Sequence, residues 1–343
     1  MNKIQLIGQN LEELQLFCIN NKYPKFHGDQ LYHWIYRQSM QSTEAMSNIP
    51  KELKNIIKNK CNLNLLSIKK QLTSNIDNTN KFLLETIDKK LIECVSMIDK
   101  NRHTVCLSSQ IGCNVDCDFC ATGKMGIIRN LTTGEILNQL HIVNNNIKNH
   151  PITNIVFMGM GEPLLNYKNV IKASNIINDN NGFNISSKKI TISTAGILPK
   201  IKQFIKEEQK YKLAISLNSA INEIRNQIMP INKKWPIDQI ITTIKKYKFN
   251  KHRPIMFEYA IMKNINDSSE DAYAIIRLLK NTNYKINIIP YNHTYGQYKR
   301  PDDLTIQKFI KTLSENNLKV FIRNSKGQDI DAACGQLVTK NAN

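Results

Sequence analysis

The sequence lacks the features that mark membrane and exported proteins. It has 343 residues, and no apolar run approaches the ~20 residues needed to cross a bilayer, which excludes a transmembrane protein. Residues 1–10 have neither the apolar core nor the cleavage site of a signal peptide. No repeat of the solenoid type and no long linker is present. We therefore expect a cytosolic globular protein with no membrane partner.

Acidic residues are also scarce. The 28 Asp and Glu residues stand against 47 Lys and Arg, so the formal net charge is +19. This excess favours a polyanionic partner such as RNA or DNA, since each neutralised phosphate releases counterions. A Lys-, Asn- and Ile-rich composition produced by an AT-biased genome would give the same charge without a partner. If the charge is functional, we expect phosphate contacts from four N-terminal lysines: Lys51, Lys54, Lys58 and Lys60.

The pattern of apolar residues divides the chain into three parts. Residues 1–62 carry apolar side chains at helical spacing, which predicts a small helical accessory domain that we expect to bind RNA. Residues 63–97 alternate in short runs split by Asp and Asn turns, which predicts a strand-rich connector. The remaining part, 98–343, is long enough to bury a large core, and 41% of all residues are apolar.

Short β-branched runs alternate with helical stretches after about residue 100. Strands are predicted at 104–107, 154–158, 189–193, 213–217, 255–262, 286–290 and 320–323. Helices are predicted at 134–147, 167–178, 237–248, 271–280 and 304–314. This alternation predicts an α/β fold with a parallel sheet. Residues 339–343 are expected to fray.

Four of the eight cysteines crowd into residues 106–120. Cys113, Cys117 and Cys120 form a C-x3-C-x2-C triplet, and three thiolates at this spacing can hold three irons of a 4Fe–4S cluster. The fourth iron would stay open to a small molecule. Structural zinc is the alternative, and it would need a fourth ligand such as Cys106. The triplet resembles the signature of radical SAM enzymes. That resemblance implies that the open iron binds S-adenosylmethionine (SAM), which reduction splits into methionine and a 5′-deoxyadenosyl radical.

Polar residues at the ends of the predicted strands would complete a SAM site. In barrel-like α/β folds, ligand groups come from the C-terminal ends of the strands and from the loops after them. Glycines there allow close approach of the backbone, and a carboxylate can hold an ammonium group. The candidates are Gly161, Glu162, Ser193, Ser216, Leu217, Asn218 and Asn292. A terminal Ser or Asn taken alone is also typical of a helix cap.

Longer strings resemble one branch of the radical SAM enzymes. They are residues 30–36 (QLYHWIY), 106–113 (CLSSQIGC), 157–166 (FMGMGEPLLN) and 329–337 (DIDAACGQL). On these strings the chain is identified as a member of the RlmN family, which methylates carbon 2 of an adenine in 23S rRNA and in some tRNAs. The resemblance implies a partial (β/α) barrel of the radical SAM type and one 4Fe–4S cluster. It also implies two SAM molecules per turnover, a flavodoxin or ferredoxin as electron donor, and a monomer.

The resemblance also assigns three catalytic residues. Adenine C2 is an electron-poor sp² carbon and a poor nucleophile toward the methyl group of SAM, so the carbon must first be held by the protein. Cys334 would carry it as S-methylcysteine, Glu93 would accept the C2 proton, and Cys106 would attack the Cys334 sulfur to release the RNA. That attack implies a disulfide bond.

Two of these assignments have a simpler alternative. Cys106 would be a buried structural thiol and Glu93 a solvated surface carboxylate. The other cysteines, Cys18, Cys61 and Cys94, are expected to be packing residues.

Two positions bear on specificity. Many family members have histidine where this chain has Asn218, which weakens the expectation of a SAM contact there. Relatives that methylate carbon 8 of the same adenine tend to have another residue at Pro163, so Gly161-Glu162-Pro163 favours carbon 2. A carbon-8 methyltransferase and a non-catalytic, metal-stabilised RNA-binding protein are the alternatives. The latter would need neither Cys106 nor Cys334.

Overall fold

The computed structural model describes residues 3–246, 255–280, 284–294 and 296–339, and its N-terminal part is mostly helical. The elements are β1 (Ile4–Gln5), α1 (Leu11–Asn20), α2 (Phe26–Tyr32), a π-helical turn (His33–Arg37), α3 (Lys51–Lys60) and β2 (Cys61–Asn62). Asn10 and Glu13 form a capping box that satisfies free N–H groups at the start of α1. The two short strands pair in parallel and bring the ends of this part together.

Three antiparallel strands follow, in the part predicted to be strand-rich. They are β3 (Leu66–Thr73), β4 (Asn78–Thr86) and β5 (Leu91–Asp99). They do not form a separate layer, because β5 pairs antiparallel with β6 (Arg102–Cys106) and so extends the main sheet. Local alternation shows that such strands are half-buried, but it does not show which strand they pair with.

A hairpin follows β6. Its strands, β7 (Gln110–Cys113) and β8 (Gly126–Asn130), pair only with each other. The sequence predicted a strand at 104–107 and none between it and the triplet, whereas in the structure Cys113 ends β7. The hairpin therefore carries the triplet beside the main sheet and not within it.

Six further strands complete the main sheet. They are β9 (Asn154–Phe157), β10 (Ile190–Thr194), β11 (Lys212–Ser216), β12 (Ile255–Ile261), β13 (Tyr284–Pro290) and β14 (Val320–Ile322). The strand order is β14-β13-β12-β11-β10-β9-β6-β5-β4-β3, and the seven strands from β6 to β14 are all parallel. Within the described residues β3 and β14 are unpaired edges, so the barrel stays open. The expected partial (β/α) barrel is confirmed.

Helices alternate with these strands. They are α4 (Thr133–Asn146), α5 (Tyr167–Asn178), α6 (Leu198–Lys206), α7 (Asn222–Ile228), α8 (Ile237–Lys246), α9 (Ser269–Leu279) and α10 (Asp303–Glu315). The end of the helix predicted at 237–248 and most of the predicted frayed end, 340–343, lie outside the described residues. No helix in the described ranges is both long and apolar enough to span a bilayer.

Helix α4 connects three parts of the molecule. Its Asn138 side chain is fully buried and accepts hydrogen bonds from the N–H groups of Leu65 and Leu66, at the start of β3. The next residue, Gln139, accepts from the Ser108 N–H and donates to the Ser108 carbonyl, in the segment that leads to β7. Because buried polar groups are costly unless paired, these bonds fix where the hairpin starts relative to the sheet.

Candidate active site

The hairpin shapes the loop that carries the cysteine triplet. Cys113 ends β7, and Cys117 and Cys120 precede the 3-10 turn Gly123–Met125. Gly112 has φ +75°, and a Cβ at this position would collide with the carbonyl oxygen of Gly126. Only glycine therefore lets the two strands meet at the base of the loop.

The three thiols of the triplet influence one another. Burial raises the pKa of Cys113 to about 12. Burial also raises the pKa of Cys117 well above its usual value, and the nearby thiols of Cys120 and Cys113 raise it further. Three thiolates this close together need positive charge between them. A 4Fe–4S cluster fits this donor set, because each thiolate would bind a different iron.

Zinc does not fit as well. Cys106, the expected fourth ligand, lies at the end of β6, where the groups that influence it are Cys334 and Arg323 and not the triplet. In the part of the chain that the structure describes, no three His, Cys, Asp or Glu side chains form a site for a single metal ion. A structural zinc ion needs four ligands around one centre, and a cluster spreads its ligands over several irons.

One cavity lies at the C-terminal ends of the parallel strands, next to the triplet. All three triplet cysteines line it, as do the SAM candidates Gly161, Glu162, Ser193, Ser216, Asn218 and Asn292. Leu217 does not: its side chain is fully buried, its N–H donates to the Glu258 carbonyl, and its carbonyl accepts from Arg225 Nε. Leu217 thus holds the end of β11 in place, and only its neighbours face the cavity.

Glu162 is the only carboxylate among these candidates. It is buried, and its Oε1 and Oε2 accept hydrogen bonds from the N–H groups of Leu164 (2.9 Å) and Ala195 (2.7 Å). Burial raises its pKa to about 7. A nearby ammonium group would stabilise its charged form, so the position suits the amino group of SAM.

Both asparagines of the cavity already have protein partners. Asn218 has φ +53°, its Oδ1 accepts from the Ala260 N–H at 2.8 Å, and its Nδ2 lies 3.2 Å from the Met229 sulfur. Asn292 donates from Nδ2 to the Cys334 carbonyl at 3.1 Å. Asn218 therefore shapes the wall of the cavity, and Asn292 also holds the segment that carries Cys334.

Cys334 lines the same cavity on a segment that is fastened to the triplet loop. The N–H of Ala121, next to Cys120, donates to the Gly335 carbonyl at 2.8 Å. Thr122 Oγ1 donates to the Leu337 carbonyl at 2.6 Å. The thiol of Cys334 thus faces the same space as the triplet, although the two are more than 200 positions apart in sequence.

Cys106 and Cys334 come close together beside an arginine that the sequence analysis missed. The pKa of Cys106 is raised to about 12, mainly by burial and also by the Cys334 thiol, while Arg323 opposes the rise. Arg323 follows β14, lines the cavity, and directs Nη1 to the Met158 sulfur at 3.2 Å. Cys106 is buried in the apolar core, and its thiol is near enough to Cys334 and Arg323 for all three groups to influence one another.

Glu258 of β12 was also missed. Its Oε1 accepts from Asn287 Nδ2 at 2.9 Å, and its buried Oε2 has no partner among the described residues. It lines the cavity near Arg323. The signal in the sequence was a single acidic residue inside the apolar run Met256-Phe257-Glu258-Tyr259.

Glu93 faces a second cavity on the other side of the Cys334 segment. Lys81, Glu93, Asp331, Gln336 and Val338 are among its lining residues. The residue as a whole is only 4% exposed, so Glu93 is not a solvated surface residue. Burial raises its pKa, and the ammonium group of Lys81 opposes that shift.

The disulfide bond expected from the sequence is not supported. All eight cysteines are free thiols. Cys106 pairs with Val95 at the end of β6, and the Cys334 carbonyl accepts a hydrogen bond from Asn292 Nδ2. Cys18, Cys61 and Cys94 are buried in the apolar core, as packing residues would be.

Comparisons with known proteins agree with this geometry. Residues 107–279 match the family model of the radical SAM superfamily, and residues 4–63 match that of the ribosomal RNA large subunit methyltransferase N-terminal domain. A probable dual-specificity RNA methyltransferase RlmN of Syntrophomonas wolfei is 39% identical, with 98% of each chain covered. One of Dictyoglomus thermophilum is 43% identical, covering 92% of this chain and 90% of the relative.

A solved structure leads to the same conclusion about the fold. The crystal structure of a radical SAM methyltransferase from Sphaerobacter thermophilus superposes with a TM-score of 0.94 at 35% identity, covering 97% of this chain and 99% of that chain. The match extends over the N-terminal helices, the antiparallel strands and the open barrel alike. This chain belongs to the RlmN family of radical SAM methyltransferases.

Proposed function

We propose that this protein methylates carbon 2 of an adenine in 23S rRNA and in tRNA, with the methyl carbon carried on Cys334. The relatives named as dual-specificity RNA methyltransferases support an RNA substrate. The observation that carries the proposal is the position of Cys334: it opens into the triplet cavity, with Cys106 next to it and Glu93 behind its segment.

The cavity would hold both cofactors. Cys113, Cys117 and Cys120 would bind one 4Fe–4S cluster, and Glu162 would face the amino group of SAM. The remaining wall would come from Gly161, Ser193, Ser216, Asn218 and Asn292, with Leu217 holding the strand end behind them. When bound, the two groups supply first a methyl group and then, from a second SAM, a 5′-deoxyadenosyl radical.

The protein's own residues would then perform the transfer. The Cys334 thiolate accepts the methyl group, and after that group loses a hydrogen atom its carbon bonds to adenine C2, joining Cys334 to the RNA. Glu93 accepts the C2 proton. The adduct also loses its one unpaired electron, for which the oxidised cluster would be the acceptor. The Cys106 thiolate then attacks the Cys334 sulfur, and the sulfur–carbon bond breaks with its electron pair staying on the carbon. That carbon takes up a proton from solvent and becomes the methyl group of the product. The resulting sulfur–sulfur bond must be reduced before the next turnover.

The supply of electrons is part of the same proposal. A flavodoxin or ferredoxin would deliver them to the triplet loop of a monomeric enzyme in the cytosol. Asp116, inside the triplet, has a side chain 64% exposed, so this loop reaches the surface where such a donor would approach.

The product identifies the reaction. RNA from a strain with the gene and from one without it should be digested and its methyladenosine isomers separated by mass spectrometry. We expect 2-methyladenosine in 23S rRNA and in tRNA only when the gene is present. Gene-dependent 8-methyladenosine would instead assign the protein to the carbon-8 branch, and RNA without any gene-dependent methyladenosine would favour a binding protein without catalysis.

A further inference from the structure

A buried ion pair joins two neighbouring strands beneath the Cys334 segment. Lys81 Nζ of β4 lies 3.2 Å from Glu93 Oε1 of β5, and the two side chains are 10% and 6% exposed. In the antiparallel register Lys81 is opposite Val95 and Glu93 is opposite Leu83, so the two charged residues are diagonal neighbours on one face of the sheet.

The same two side chains hold both ends of the Cys334 segment. Lys81 Nζ also donates to the Asp331 carbonyl at 3.1 Å. The Val338 N–H donates to Glu93 Oε2 at 2.9 Å. Asp331 and Val338 lie on either side of Cys334, so the two bonds hold this segment beside the Glu93 carboxylate.

A proton acceptor has to be ionised, which burial opposes. A lone carboxylate at this depth would take up a proton, because removing its charge avoids the cost of desolvation. Burial does raise the pKa of Glu93, and Lys81 lowers it both by its charge and by its hydrogen bond. Among the other charged or titratable groups that face this carboxylate, Asp331 raises its pKa, while Lys70 and His293 line the same cavity.

We propose that Lys81 is a positioning residue for the release of methylated RNA: it keeps Glu93 ionised and directed at the cavity, and it holds the Cys334 segment against Glu93. This inference rests on the proposed function, because Glu93 has a proton to accept only if an adduct between Cys334 and RNA forms. Lys81 touches neither the RNA base nor a cofactor in this role. It acts through Glu93.

The test follows the decay of that adduct. Wild-type and Lys81→Met proteins, each with cluster and SAM, are allowed to form the adduct with RNA, and its disappearance is timed over a series of pH values. We expect normal methylation of Cys334 and normal adduct formation in Lys81→Met. The pH midpoint of release should be about one unit higher, and at pH values below the wild-type midpoint release should be about tenfold slower, since one pKa unit is a factor of ten in ionisation.

Two control variants separate charge from position. Lys70 lines the same cavity but is exposed and makes no ion pair with Glu93, so Lys70→Met should release RNA at the wild-type rate. Lys81→Arg keeps the charge but not the shape of the ammonium group. Its pH midpoint should fall between those of the wild type and Lys81→Met, and this variant also serves if Lys81→Met does not fold.

The combination with Glu93→Gln separates this inference from the proposed function. Glu93→Gln should trap the adduct at every pH, and adding Lys81→Met should slow release no further. Rapid release by Glu93→Gln would refute the role of Glu93 itself. If Glu93→Gln traps the adduct but Lys81→Met shows the wild-type pH midpoint, the role of Lys81 is refuted and that of Glu93 stands. A Lys81→Met protein that folds but forms no adduct also refutes it, because Lys81 would then act before release.

Discussion

Two residues, Cys106 and Cys334, lie near enough for their thiols to influence each other, but they would act at different stages. If Cys334 carries the methyl carbon, Cys334→Ala should neither become methylated nor bond to RNA. If Cys106 resolves the adduct, Cys106→Ala should still load the methyl group and join to adenine, and then stop. Removing a late nucleophile traps what an earlier one has built. The conjugate would be seen as a shifted band on a gel that nuclease treatment collapses.

Cys94 supplies the control for that pair. It is fully buried on β5, close to Cys106, and none of the proposed steps uses it. Cys94→Ala should turn over without accumulating the conjugate. Normal turnover by Cys106→Ala, or absence of a conjugate while its cluster is intact, would contradict the role given to Cys106.

A single histidine makes the stability of the fold depend on pH. His141 is fully buried on α4 beside Phe183, its ring nitrogens have no hydrogen-bond partner among the described residues, and burial lowers its pKa to about 3. Between about pH 3 and about pH 6.5 the unfolded chain binds a proton here that the folded chain does not, so stability falls as the pH falls. At about pH 5.5 the loss from this one residue is about 1.4 kcal/mol.

The prediction for His141→Phe follows from this loss of stability at low pH. Going from pH 7 to pH 5.5 should cost the variant about 1 kcal/mol less of unfolding free energy than it costs the wild type, measured by urea denaturation at both pH values. His33→Phe, on an exposed residue, should retain the wild-type dependence. Equal acid sensitivity of His141→Phe and wild type would show that His141 is not the group responsible.

At the scale of elements, we expect the loop of the β7–β8 hairpin to supply every protein ligand of the cluster. Protein prepared without oxygen should contain about four irons per chain. Cys113→Ala, Cys117→Ala and Cys120→Ala should each lose nearly all of this iron, as measured by metal analysis. Cys61→Ala, which removes a buried thiol from the start of β2, should retain it. One zinc ion per chain in place of iron would refute the assignment.

The elements that the sequence predicted are those with strong local patterns. The seven parallel strands lie within two residues of their predicted positions, because each is a buried β-branched run between helices. The hairpin β7–β8 was missed because it is short, and because Ile127 and Ile128 of β8 are exposed and give no alternation. The joining of β5 to β6 is a pairing between segments, which no local pattern encodes.

The site was predictable to the extent that its residues stand in motifs. The triplet and the strand-end residues could be read directly from spacing and position. Lys81, Glu258 and Arg323 could not, because each matters only through what the fold brings next to it. Leu217 was placed in the right loop, but the direction of its side chain depends on hydrogen bonds to Glu258 and Arg225.

At the scale of the whole molecule, part of the positive charge lies on α3, where its role in RNA binding can be tested. On α3, Leu53 and Ile57 are buried, so the helix turns its lysines outward: Lys51, Lys58 and Lys60 are exposed and Lys54 is half-buried. Changing all four to Gln should weaken RNA binding and flatten its salt dependence by about 0.7–0.9 slope units for each phosphate that is no longer neutralised. Affinity measured over a salt series gives this slope.

A matched set of lysines on the outer helices of the barrel controls for net charge. Lys202, Lys206, Lys308 and Lys311 are exposed on α6 and α10. Changing these four to Gln should leave the slope close to that of the wild type. Equal slopes for both sets and the wild type would mean that the lysines of α3 do not touch RNA, in agreement with a composition set by the genome.

The hydrogen bonds that hold the Cys334 segment also decide when the proposed site can be completed during synthesis of the chain. Ser74 donates to Asp329, the Gly327 N–H to Asp77 and the Val338 N–H to Glu93, across 255, 250 and 245 positions of sequence. A growing chain lengthens by about 5–20 residues per second, so strands β3–β5 leave the ribosome on the order of 10 to 50 s before their partners. The barrel can fold meanwhile, but Cys334, the proposed methyl carrier, is added late. A chain halted shortly before Cys334 would therefore already contain the triplet loop and the proposed SAM-binding residues, yet not the residue proposed to receive the methyl group.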